Sequence, residues 1–134
     1  MKDPLKRYII LAVLIILLFM TGCGLKETTL GELYKGDLSD ITKIRVVDGN
    51  TGYDVITTDQ KQIFDFLNDL KHITFIPEEN QEKRDGFMYS ISFFENGDVT
   101  FQFELSEING HYYRTEPAMY PIVNEFYMML EEKE

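Results

Sequence analysis

Few residues in this chain have side chains suited to chemistry. It holds one cysteine, Cys23, and two histidines, His72 and His111, against 23 aspartates and glutamates in 134 residues. A zinc site draws mainly on cysteine and histidine at short, fixed spacings. Neither histidine has a His-x-x-x-His or Glu-x-x-His partner, so both are expected to be structural or simply exposed. Asp48, Asn50, Gly52, Asp54 and Asp59 fall at positions 1, 3, 5, 7 and 12 of a calcium-loop spacing. That match is imperfect, because Tyr53 stands where such a loop needs glycine and Asp59 is shorter than the usual bidentate glutamate. A hairpin turn accounts for the same residues, so Asp48, Asn50, Asp54 and Asp59 make only a weak metal set and no metal is assigned. There is no Gly-rich phosphate loop, no Gly-x-Ser-x-Gly elbow and no Ser, His and Asp set that the expected register would unite. Carboxylate pairs will arise by chance in so acidic a chain, and a domain of this size hardly provides a glycosidase cleft. No catalytic residue and no cofactor are assigned.

Cys23 is the exception, and its surroundings explain why. A basic head with Lys2, Lys6 and Arg7 precedes thirteen apolar or aromatic residues, 8–20. This is the layout of a secretory signal, and the run is shorter than the roughly 20 residues that span a bilayer. Counting on to Leu25 makes an uncleaved membrane helix the alternative. The run closes on Met20-Thr21-Gly22-Cys23, which resembles the lipobox of bacterial lipoproteins, with Met20 where leucine is commoner. The resemblance implies removal of residues 1–22 as a signal peptide and attachment of acyl chains such as palmitate to Cys23. At about 0.8 kcal/mol per buried CH₂, two long chains anchor a protein stably. A lone exported thiol, with no partner for a disulfide, fits this fate.

Beyond residue 22 there remain ten Lys and Arg (13 less Lys2, Lys6 and Arg7) against 22 Asp and Glu (23 less Asp3), a formal charge of −12. That excludes nucleic acid as a partner, since phosphate binding needs a basic patch. It favours solubility, or a protein or peptide partner that is itself basic. Residues 23–40 are polar, with Gly24, Gly31 and Gly36, and read as the lipidated cysteine plus a flexible tether of about 23 Å. Residues 41–134 then form a single domain.

The elements of that domain follow from periodicity. Residues 41–48 alternate as a strand, the turn 49–52 follows, and a return strand to Thr57 pairs Val46 with Val55 and Ile44 with Thr57. Thr57 or Asp59 caps a helix to Lys71 whose apolar stripe is Ile63, Phe64, Phe66, Leu67 and Leu70. A short strand ends at Pro77, and a charged loop spans 77–85. Residues 86–115 read as a three-stranded meander with bulged three-residue turns at Glu95-Asn96-Gly97 and Ile108-Asn109-Gly110, pairing Phe93 with Val99, Ile91 with Phe101, and Glu104 with Arg114. Pro117 and Pro121 start a last helix carrying Ile122, Val123, Phe126, Met129 and Leu130. The expected fold is α+β: an antiparallel sheet of about five strands, ββα-β-βββ-α, with two helices on one face.

In that register Met88, Phe94, Gln102, Glu104, Tyr112 and Arg114 lie on the outer sheet face. Aromatics, methionine and arginine there exceed what solvation requires and are typical of binding hot spots. The whole layout resembles the small lipoproteins of Bacillus-type Gram-positive bacteria, which implies a location on the extracytoplasmic face of the cell membrane and imports no active site. The expected function is a non-enzymatic, membrane-anchored accessory or inhibitory module that binds a protein or peptide. A surface sensor of calcium or another small ligand is the alternative, and a cell-envelope hydrolase the third.

Overall fold

The structure is a computed structural model that describes residues 3–19 and 24–133. It opens with helix α1, Pro4–Phe19, whose described side chains are exposed. Its 16 residues rise about 24 Å, and no described helix is long and apolar enough to cross a membrane. Residues 20–23, with the lipobox and Cys23, lie outside the described residues.

The rest is α+β, as expected, but with two antiparallel sheets in place of one. Strands β1 (Thr28–Thr29), β4 (Thr74–Pro77), β8 (His111–Glu116) and β7 (Glu107–Ile108) form the first sheet, in the order β1-β4-β8-β7. Strands β3 (Asp54–Thr57), β2 (Lys43–Asp48), β5 (Tyr89–Glu95) and β6 (Asp98–Glu104) form the second, in the order β3-β2-β5-β6. Inner faces of both sheets share one core with helices α3 (Gln60–Leu70) and α4 (Tyr120–Glu131). The two helices meet through Phe66 and Phe126, stacked with ring centroids 3.9 Å apart.

The first hairpin has the expected register, with Ile44 opposite Thr57 and Val46 opposite Val55. Asp59 caps α3 by accepting from the Gln62 amide at 3.0 Å. Phe64 departs from the expected stripe and is 68% exposed. At 3.6 residues per turn it lies about 100° round from Ile63, off the face that Ile63, Phe66, Leu67 and Leu70 bury.

Both later turns differ from expectation. Asn96 and Gly97 have φ of 50° and 91°, Asn109 and Gly110 of 53° and 78°. Positive φ at both central residues is the two-residue type I′ turn, whose twist suits a hairpin. Its register alone would send Ser90 against Phe103. A bulge at Thr100 inserts one residue, so Glu95 faces Asp98 while Phe93 faces Phe101 and Ile91 faces Phe103. At the second turn Ile108 faces His111 and Glu107 faces Tyr112. Continuing that ladder would put Leu105 opposite Arg114, mixing apolar and charged side chains on one face. The chain instead bends at Leu105 and Ser106, and β8 crosses to β4, where Phe75 and Tyr113 meet edge to face at 6.3 Å. The three-stranded meander and the Glu104–Arg114 pair therefore do not form.

Residues 28–40, expected as tether, belong to the fold. Thr28 and Thr29 pair with Phe75 and Thr74, and the short helix α2, Leu30–Leu33, is followed by Tyr34. Leu30 is fully buried and Tyr34 nearly so. Tyr34 sets its ring edge-on to Phe93 and Phe101 at 6.0 and 5.7 Å and donates its hydroxyl to Glu95 at 2.6 Å. Burial, then Glu95, pushes its phenol pKa up. Leu30, Leu33 and Tyr34 sit at i, i+3 and i+4, a one-turn apolar stripe that outweighs the polar composition around it.

Candidate functional site

The residues expected on one partner face are divided among three environments. Met88, Glu104 and Arg114 come together in a groove of about 270 Å³, whose lining also includes Phe87, Leu105 and Tyr120. Phe94 and Gln102 lie on the neighbouring outer face of the β3-β2-β5-β6 sheet. Tyr112 is buried at 4% exposure and cannot meet a partner.

The groove exists because two backbone features hold 87–88 in place. The Gly49 amide donates to the Met88 carbonyl at 2.8 Å, and a Cβ on Gly49 would fall 1.8 Å from the Phe87 carbonyl oxygen. Only glycine permits that approach. Phe87, Met88 and Tyr120, which line it, are left 40%, 51% and 42% exposed. Charge enters through Glu104, whose carboxyl is pushed above the ordinary glutamate range by burial and then by Glu107. Arg114 is held by Glu116 at 2.6 Å. Phe87, Leu105 and Tyr120 were missed as site residues: the meander register turned Phe87 and Leu105 inward, and Tyr120 read only as part of a helix start. The available signal was that large apolar residues follow Gly86 and precede Pro121, where regular pairing stops.

On the open sheet face the central strand presents small residues. Ser90 and Ser92 are 6% exposed although they point outward, because Val47 and Glu104 flank the first and Arg45 and Gln102 the second. Gln102 donates to the Ser90 hydroxyl at 3.3 Å, and Arg45 pairs with Asp54 at 2.7 Å. Phe94 is covered by the Lys43 ammonium, 4.1 Å from the ring centroid, a cation–π contact.

Tyr112 is fastened by the charged loop. The Gln81 side-chain amide donates to the Tyr112 carbonyl and accepts from its N–H, both at 2.9 Å. The Arg84 amide donates to the Tyr112 hydroxyl at 2.7 Å, and the Arg84 guanidinium lies over its ring, 4.5 Å from the centroid. Glu78 pairs with Arg84.

The calcium-like residues are dispersed into structural tasks. Asp48 accepts from the Asn50 amide at 2.8 Å within the turn, Asp54 pairs with Arg45, and Asp59 caps α3. Among the described residues no group of three or more His, Cys, Asp or Glu is placed to hold a metal ion. His72 and His111 are both exposed.

No protein-family model, curated protein or solved structure matches the chain.

Proposed function

We propose that this chain is a lipid-anchored protein of the extracytoplasmic face of the cell membrane, held through Cys23, whose α+β domain binds a protein or peptide without catalysing a reaction. Anchoring rests on the sequence at 8–23. Binding rests on the groove: three large apolar side chains, Phe87, Met88 and Tyr120, stand exposed together beside Glu104 and Arg114. An apolar centre with a charged rim is the composition of binding hot spots, and isolated exposed apolar residues would not be. The charge of −12 after residue 22 favours a basic partner.

A photo-crosslinking residue at Met88 on intact cells, followed by mass spectrometry, tests the binding. Met88→Glu combined with Tyr120→Ala is expected to abolish the crosslinked partners recovered from other surface positions, and their persistence rejects the groove. The anchor is tested apart from it: Cys23→Ala should lose lipid labelling and stay unprocessed. Maturation at the same site with retention on the membrane would reject the lipoprotein assignment.

A further inference from the structure

Four strands end the two sheets, and three of them are short: β1 and β7 have two residues each and β3 has four. The fourth, β6, has seven residues and, among the described residues, pairs only with β5. Among the described residues no hydrogen bond reaches the backbone of 98–104 from outside that ladder. Every second residue of such a strand points its N–H and C=O away from the sheet, a template for another strand that natural proteins usually shorten or block.

The first part of this edge is interrupted by the Thr100 bulge, whose hydroxyl lies 2.8 Å from that of Tyr34. From Phe101 to Glu104 the ladder is regular. Beside Thr100 and Phe101 lies an open hollow of about 560 Å³, floored by Tyr34 and Gly36. At the other end, Glu104 belongs also to the Met88 groove.

Charge selects the occupant. Between Arg84 and Arg114 there is no Lys or Arg, but Asp85, Glu95, Asp98, Glu104 and Glu107 are present. Four of these five border β6 or belong to it. Three cations stand nearby: Lys35 in the hollow, Lys43 on the Phe94 ring, and Arg114 in the Met88 groove, where Glu116 pairs with it. A second copy of this chain fits poorly: antiparallel self-pairing centred on Phe101 would set Asp98 opposite Glu104, and like charges directly opposite are unfavourable.

We propose that β6 accepts an extended, basic segment of a partner protein as an added fifth strand, along 101–104 and on toward the Met88 groove. Main-chain hydrogen bonds would supply affinity, and Val99, Gln102 and Glu104 on the outer face would select side chains. This mode rests on the peptide-binding reading above but can fail separately from it.

The test uses the full chain in detergent micelles and a ten-residue peptide of alternating lysine and valine. Two controls are its glutamate–valine counterpart and the lysine–valine peptide N-methylated at alternate residues, which keeps charge and removes main-chain donors. The lysine–valine peptide should slow amide exchange at 101–104 and bind about tenfold or more tightly than the N-methylated form, as loss of two or three hydrogen bonds implies. Asp98→Lys at an exposed position, and Glu104→Lys at a half-buried one, should each weaken it, and the glutamate–valine peptide should not bind. Binding that N-methylation leaves unchanged, binding without slowed exchange at 101–104, or no binding each overturns strand addition. Protection that grows with protein concentration in the absence of peptide overturns it in favour of a second copy. If these arms fail while Met88 still crosslinks to a partner that Met88→Glu loses, binding stands and only the β6 mode falls.

Discussion

The two sheets of this domain leave their strands in opposite situations, β8 lying between β4 and β7 and β6 lying at an edge. On the β1-β4-β8-β7 sheet, the loop that follows β4 folds back over β8. Gln81 satisfies both backbone groups of Tyr112, and Arg84 covers its ring and hydroxyl. On the β3-β2-β5-β6 sheet no described residue fastens β6 in this way. A tyrosine that in sequence resembles a binding hot spot is thereby a fastener, while a strand that in sequence resembles the middle of a meander is a free edge. Exposure here is decided by where a distant loop lands.

That contrast can be broken or sharpened from several directions. Gly49→Ala should have the largest effect, about 3 kcal/mol or more of lost stability in urea unfolding, since its Cβ would overlap the Phe87 carbonyl. A near-neutral result would show that the seat of 87–88, and with it the groove, is soft. Tyr112→Ala should cost about 2–3 kcal/mol and open residues 78–85 to protease, because a buried ring and its loop contacts go together. If 78–85 stays resistant, the covered sheet does not depend on Tyr112. Gln81→Ala should cost about 1 kcal/mol and speed exchange of the Tyr112 amide; unchanged exchange would mean that this amide is protected without Gln81.

The smallest effect is expected at Glu104. Its folded-state pKa is raised above the ordinary glutamate value of 4.5 by burial and by Glu107. Its favourable contribution is therefore fully present below that ordinary value and lost as pH rises through the raised one. Near pH 7 the wild type carries the penalty, so Glu104→Gln should raise the denaturation midpoint slightly there. The advantage should shrink as pH falls into the carboxylate range. A midpoint difference that does not change with pH would detach Glu104 from both burial and Glu107.

Some of this was legible in the residues. The 41–57 hairpin could be read because its apolar alternation permits one register, and Asp59 could be read as a cap because the interaction spans three residues. The partner face was only partly legible. Met88, Glu104 and Arg114 do converge, but through the bend at Leu105 and the crossing of β8, not through the expected Glu104–Arg114 pair. Phe64 went astray because a stripe drawn one position too wide still looks helical. Residues 28–40 looked like tether because three glycine-spaced polar stretches hide a single buried turn.

At the two Asn-Gly pairs the division between sequence and tertiary structure is sharpest. The residues by themselves determined a turn at each position, since asparagine and glycine tolerate the positive φ that a type I′ turn requires. They also determined the strongly acidic charge, the α+β alternation of periods, and the apolar run ending at Cys23, all of which are properties of neighbours along the chain. Only tertiary structure decided the bulge at Thr100, the departure of β8 to a second sheet, and hence which strand is left as an edge. Each of these resolves a conflict between local turn geometry and burial of a common core, and that core is assembled from residues far apart in the chain.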